Sequence, residues 1–278
     1  MNLWCLRSSL FLGLAIACWA QPGDPTRELL KRGITNYERS STNFRNFFFD
    51  RLTVTRQFEA NGQVREEHRN LIRRELFDGV PVTRLVERDG QPLSPAEKAK
   101  ADANIRRARA EYAALSTGDK AKRDAEAARP SREIEFLREM PEALDYEYID
   151  SQWDGPREIL HFKMSPRPGY RPKNLQAKVF EKVRGEIWID KSQNEMQKLD
   201  AEVFDTVSVG GILAKIEKGT HFLIERMPVQ EGLWLPKLIR IKFGTKIMMV
   251  KSIRQESETT YSAYRPINHT AEKAPAAP

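Results

Sequence analysis

Four histidines, two cysteines and scattered carboxylates are the residues of this 278-residue chain with the most obvious chemical potential. His68, His161, His221 and His269 lie far apart, and none falls in a metal-binding spacing such as H-E-x-x-H. His161 alternates with Ile159 and Lys163 on a predicted strand, and His221 heads another. Either could be a ligand or general base, although an isolated strand histidine is more often packed or exposed. No serine sits in a G-x-S-x-G elbow, and Gly210-Gly211 belongs to neither a phosphate loop nor a dinucleotide fingerprint. Carboxylate pairs such as Glu66-Glu67 cannot be shown by spacing alone to flank one bond. Both cysteines, Cys5 and Cys18, lie within the first twenty residues, so the rest of the chain has no thiolate zinc site and no internal disulfide. The expectation is a protein that is not an enzyme and uses no metal or cofactor.

Apolar residues are more informative. Trp188 lies between Ile187 and Ile189, and Trp234 between Leu233 and Leu235; Phe222-Leu223-Ile224 and Ile247-Met248-Met249-Val250 are similar runs. Side chains alternate between the two faces of a strand, so these segments carry apolar groups on both. Either a further layer covers both faces, or one face lines an apolar cavity. Trp188, Phe222, Ile224, Trp234 and Ile241 are the candidate lining of such a cavity, and ordinary core packing is the competing reading.

The elements that must position these residues begin with a helix. Asp24 can cap it, Pro25 suits its first turn, and Leu29, Leu30, Ile34 and Tyr37 recur at helical spacing up to Ser40-Ser41-Thr42-Asn43. Strands follow, punctuated by turns at Ala60-Asn61-Gly62, Asp78-Gly79 and Asp89-Gly90, which predicts an antiparallel meander. Ser94-Pro95-Ala96-Glu97 has capping-box form and opens a charged helical insertion, 94–140, folded back at Ser116-Thr117-Gly118-Asp119. A third helix is predicted from Ser131 to the residue before Pro141. Sheet then resumes, with strands across 144–153, 158–164, 185–190, 212–216, 221–227, 233–243 and 247–264. The fold class is therefore α+β, a large antiparallel sheet with a few helices and a charged helical hairpin insertion. The segment 270–278, rich in alanine and proline, is predicted to be a disordered tail.

The N-terminus places the protein outside the cytoplasm. Arg7, the apolar run Leu10 to Ala17 and small residues around Ala20 match a signal peptide over 1–20. The apolar run is shorter than the roughly 20 residues of a membrane span. Ala15-Ile16-Ala17-Cys18 also resembles a lipoprotein box, so removal of Cys18 with the leader and its acylation both stay open. No later segment has transmembrane length. The formal net charge of +7 suits anionic headgroups or acidic partners, and an exported chain rarely meets nucleic acid.

Gly185-Glu186-Ile187-Trp188-Ile189-Asp190, the turn after it, the strand with Leu199, Pro228 to Pro236 and the closing strand to Tyr264 resemble the outer-membrane lipoprotein-sorting (LolA/LolB-like) class. The overall plan also resembles exported proteins of soil bacteria of the acidobacterial type. The resemblance implies one domain over 21–269, in which a sheet curls into a half-barrel and helices close its concave face over an apolar cavity. It also implies a periplasmic or outer-membrane-associated protein that binds a lipid or lipoprotein acyl chain. The alternative is an interaction or envelope-stress sensor module that meets a protein partner through the helical insertion and binds no lipid.

Overall fold

A computed structural model describes residues 24–128, 135–210, 214–247 and 251–267. The expected leader with Cys18, Ser131 to Ile134 of the third helix, Met248, Met249, His269 and the tail lie outside the described residues.

Helix α1 (Pro25–Asn43) starts as its sequence predicts, with Asp24 Oδ1 accepting a hydrogen bond from the Thr26 N–H at 3.0 Å and proline in the first turn. The Ser41 and Thr42 hydroxyls donate back to the carbonyls of Tyr37 (2.9 Å) and Glu38 (3.1 Å), so these residues prolong the helix to Asn43. Strands β1 (Phe47–Phe58), β2 (Val64–Phe77), β3 (Val80–Arg88) and β4 (Gln91–Pro92) form the predicted meander. Asp78-Gly79 and Asp89-Gly90 all take positive φ, the conformation a two-residue hairpin turn demands.

The insertion is a pair of helices, α2 (Pro95–Ala114) and α3 (Thr117–Ala128). Ser94 and Glu97 make the capping box, and Ser116 caps α3 by accepting from the Asp119 N–H at 3.1 Å. The bend is therefore only Leu115 and Ser116, and Thr117 to Asp119 belong to α3 rather than to a four-residue turn. A second correction concerns Pro141. A 3-10 turn (Phe136–Glu139) leads into a short helix, α4 (Met140–Ala143), that contains it, because a proline in the first turn has no N–H that the helix would need.

The chain then runs through β5 (Leu144–Asp154), β6 (Arg157–Pro166), a 3-10 segment (Gln176–Glu181), β7 (Val183–Asp190), β8 (Glu195–Val203), β9 (Val207–Gly210), β10 (Ala214–Ile216), β11 (His221–Gln230), β12 (Leu233–Ile247) and β13 (Lys251–Pro266). Strands β9 and β10 form a separate ribbon, of which the sequence reading found only the second arm. The other eleven make one open, curled antiparallel sheet in the order β4-β3-β2-β1-β13-β12-β11-β8-β7-β6-β5. The first and last strands of the chain thus meet, as β1 beside β13.

The two faces of this sheet differ sharply. Across the outer face runs a row of directly paired residues of mostly alternating charge: Arg184, Glu202, His221, Lys242, Glu256, Arg56 and Glu67. Ion pairs join Lys242 to Glu256 (3.1 Å), Glu256 to Arg56 (3.1 Å) and Arg56 to Glu67 (2.7 Å). Exposed pairs contribute little stability individually, but they show that this face lies in water and needs no cover. Of the two alternatives that the apolar runs left open, a further layer over both faces is not seen among the described residues. The opposite face carries the core: Leu29, Leu30 and Ile34 of α1, Met140 and Ala143 of α4 and Val179 and Phe180 pack on Phe162, Met164, Ile187, Ile189 and Val203.

Helix α1 is also tied down by polar groups. Asn36 Nδ2 donates to the carbonyls of Gln193 (2.9 Å) and Asn194 (3.2 Å) in the β7–β8 turn, and Arg39 donates to the Gly232 carbonyl at 2.8 Å. Beneath them Arg226 and Glu195 form a buried ion pair at 2.8 Å. Arg226 also donates to the Trp234 carbonyl at 2.6 Å, and its guanidinium lies 4.9 Å from the centre of the Tyr37 ring. Burial pushes the Glu195 carboxyl up and the Arg226 guanidinium down, and the attraction between them opposes both shifts.

Removing Arg226 leaves Glu195 buried with only the half-exposed Arg39, at 3.8 Å, to answer its charge. Arg226→Met should therefore cost about 3–5 kcal/mol in urea unfolding, and adding Glu195→Leu should recover much of it. A Cβ built on Gly185 runs into the Asp200 carbonyl oxygen and the Ala201 Cα on β8. Gly185→Val should accordingly lower the thermal midpoint, with a cost of about 1–3 kcal/mol for overpacking.

Candidate functional site: an apolar cavity under the helices

Between the helical segments and the sheet lies a cavity of about 280 Å3. Its roof comes from Phe136, Leu137 and Met140, together with Gln176, Val179 and Phe180. Its floor comes from Leu144, Met164, Val183, Leu199, Ala201, Phe222 and Ile224, and Ile216 of the β9–β10 ribbon closes one side. Gln176 is the only polar residue among those described in the wall. A smaller void of about 40 Å3 continues under α1, between Leu30, Gly33, Ile34 and Tyr37 above and Ile187, Ile189, Met196, Leu199 and Ile224 below. The two spaces share Leu137, Met140, Leu199 and Ile224, so one apolar seam follows the helix-covered face.

The strand registers explain the floor. Ile187, Leu199, Ile224 and Ile239 stand directly opposite one another across β7, β8, β11 and β12, and directly paired residues share a face. In the next row of that face Gly185, Ala201, Phe222 and Ile241 are paired. Of this row Ala201 and Phe222 line the cavity, and the small side chain of Ala201 leaves space there, whereas at Gly185 the backbone of β8 stands where a Cβ would be.

Of the five sequence candidates, Phe222 and Ile224 line the cavity. Ile241 shares their face and adjoins Phe222, beside the cavity wall rather than in it. Trp188 is on the outer face, stacked on His161 with ring centres 4.2 Å apart and with Lys198 Nζ 4.2 Å from its own centre. Alternation decides this, since Trp188 shares parity with the outer-face residue Glu186 and opposes that of Ile187 and Ile189. Trp234 is wholly buried against the β7–β8 turn, where its indole N–H donates to Gln193 Oε1 at 2.7 Å and the Arg157 guanidinium lies 4.9 Å from the ring centre. Phe136, Leu137, Met140, Gln176, Val179 and Phe180 were missed because they lie on short or irregular segments, whereas Leu144, Met164 and Val183 lie on strands, where only the register shows that they meet. Leu199 and Ala201 were accessible in principle, from their i, i+2 spacing on a predicted strand.

The electrostatics of the seam favour hydrocarbon. Burial pushes the phenols of Tyr37 and Tyr146 up, so both stay neutral, and the Tyr146 hydroxyl is spent on the Met140 carbonyl at 2.9 Å. Among the histidines, His68 meets Glu66 (Nε2, 2.7 Å) on β2, away from the cavity, and the other two described are on the outer face of the sheet. His161 contacts Asp150 (Nδ1, 3.2 Å) and Glu186 (Nε2, 3.0 Å), and His221 contacts Asp200 (Nε2, 2.7 Å). Among the described residues no three His, Cys, Asp or Glu side chains gather in a metal-binding arrangement. No described helix is long and apolar enough to cross a membrane.

No family model matches the chain, and no curated protein matches it either. Among solved structures it is similar to a LolA superfamily protein from Nitrosomonas europaea, at 10% identity over 84% of this chain and 93% of that one, with a TM-score of 0.29. It is similar to a putative outer membrane lipoprotein-sorting protein domain from Vibrio parahaemolyticus, at 8% identity over 86% and 94% of the two chains, with a TM-score of 0.32. A third is the MucA/MucB complex of Pseudomonas aeruginosa, at 10% identity over 87% and 99%, with a TM-score of 0.23.

Proposed function

We propose that this chain is an exported, non-enzymatic envelope protein that takes an acyl chain of a lipid or lipoprotein into the cavity beneath α1 and α4. The observation that carries the reading is the cavity wall, in which Gln176 alone among the described lining residues is polar. Such a wall offers no partner to a charged group and rewards each methylene removed from water. Cavities that bind small ligands usually measure roughly 300–1,000 Å3, and this one is near the lower limit. In this reading Phe222 and Ile224 contact the acyl chain, Ile241 lies at the margin, and Trp188 and Trp234 brace the sheet from outside the cavity.

A second reading rests on the α2–α3 hairpin. None of the described α2 residues is buried, and the helix is fastened to β3 by ion pairs such as Arg84 with Asp102 at 2.8 Å. That leaves its other surfaces free to meet an envelope protein. Deleting 94–128 and joining the ends with a short linker should leave acyl uptake intact on the first reading. On the second reading it should abolish partner capture.

Burial of each methylene contributes about 0.8 kcal/mol, which is about fourfold in affinity. Titration with fluorescent or competing fatty acids of increasing length should therefore show affinity rising about fourfold per carbon until the cavity is full. Ile224→Glu should weaken uptake at least tenfold in a protein that keeps its circular dichroism. A folded wild-type protein that takes up none of these probes, and carries no acyl-chain mass when purified gently from its envelope, would overturn the proposal. The intact mass of the purified protein also separates cleavage after Ala20 from acylation of Cys18.

A further inference from the structure

A sheet of eleven strands has two edges, and the described residues protect only one of them. At the β3–β4 edge, β4 is two residues long and ends in Pro92, Pro81 lies near the start of β3, and α2 is held along β3 by the Arg84–Asp102 and Arg88–Glu97 pairs. These are the usual devices against edge-to-edge pairing: a short edge strand, proline and a covering helix. At the other end β5 runs for eleven residues, and β6 is its one ladder partner among the described residues. A bulge at Ile149 divides it into paired runs, 144–148 and 150–154. Six large apolar residues are described as exposed, and three are in this strand: Tyr148, Ile149 and, at 71%, Trp153.

The charge of the strand identifies what could cover it. Asp145, Glu147, Asp150 and Asp154 are its four ionisable side chains besides tyrosine, and it holds no lysine or arginine. Arg167 meets Asp145 (2.8 Å), His161 meets Asp150 (3.2 Å), Lys163 meets Glu147 (3.7 Å) and Arg157 meets Asp154 (2.5 Å), yet all four carboxylates remain half-exposed or more. A second copy paired through β5 would bring eight carboxylates together along one ladder, which disfavours self-association. We infer that the β5 edge is a docking site for an extended, cationic segment of a partner protein, which adds to the sheet as a twelfth strand. Main-chain hydrogen bonds to the open edge supply the pairing, and lysine or arginine at alternate positions answers the four carboxylates. Tyr148 and Trp153 give the segment apolar surface to lie on. This inference is independent of the acyl cavity, which touches β5 only at Leu144, the first residue of the strand.

The test uses the full chain and an acetylated decapeptide alternating lysine and valine, with alternating glutamate and valine as control. Amide hydrogen exchange read by mass spectrometry should show the lysine peptide slowing exchange across 144–154 and nowhere else. Fluorescence anisotropy should show binding that falls about tenfold or more in the Glu147→Lys, Trp153→Ala double variant, whose two sites are exposed and leave the core untouched. Equal binding of the glutamate peptide, or protection outside β5, would overturn the inference. So would slowing of the β5 amides with rising protein concentration and no peptide, because the edge would then belong to a second copy.

Discussion

Arg226 and Glu195 meet out of water at the point where β8, β11 and β12 converge under α1. The guanidinium is shared between the Glu195 carboxylate, the Trp234 carbonyl and the face of Tyr37, so one side chain joins three strands to the helix. Asp190 stands directly opposite Glu195, which adds a second buried carboxylate to the site. Desolvating such a group is expensive, and the cost is offset only if every partner stays in position. The pair therefore acts as a register pin. If α1 slides or β8 slips, a charge is left alone in the core. The Asp190 carboxylate fixes the neighbouring turn in the same way, accepting from the Ser192 N–H and hydroxyl and from the Gln193 N–H. That turn is in turn what Asn36 of α1 grips.

The position of α1 decides what kind of space lies beneath it. With the helix held over one end of the sheet, the two 3-10 segments and α4 cover the rest of that face only partly, and the gap becomes the cavity. Close packing would normally remove such a space, since interiors tolerate few voids larger than a water molecule. Here the floor has Ala201 where a larger side chain would have filled it. The outer face makes this arrangement affordable in architectural terms: being a lattice of alternating charges, it is stable in water and requires no second layer. A single curled sheet can then devote its whole apolar face to the helices and the cavity.

The same logic of exposure distinguishes the remaining surfaces. The α2–α3 hairpin is held by charges rather than by buried side chains, and it leans on the strand at one edge of the sheet. It shields backbone there that would otherwise be open to pairing. At the far edge nothing comparable is seen among the described residues, and the acidic, partly aromatic β5 meets solvent directly.

Much of the fold was legible in the sequence by itself. The α1 cap at Asp24, the Asp-Gly turns and the Ser94 capping box are local, because each depends on residues within four positions of one another. Local hydrogen bonding and backbone sterics therefore determine them without help from the rest of the chain. The candidate site was legible only in part. Phe222 and Ile224 could be chosen as apolar residues of a strand, but Trp188 has equal apolar character and faces the opposite way. Composition cannot tell the two faces of a strand apart; parity relative to its neighbours can, once the register across strands is known. That register comes from contacts between residues as distant as Thr53 and Thr259, or Arg226 and Glu195, and only the tertiary structure decides it. The cavity belongs wholly to that second category, because its roof comes from segments 136–140 and 176–180 and its floor from strands between 144 and 224, which meet only when the sheet has curled beneath the helices.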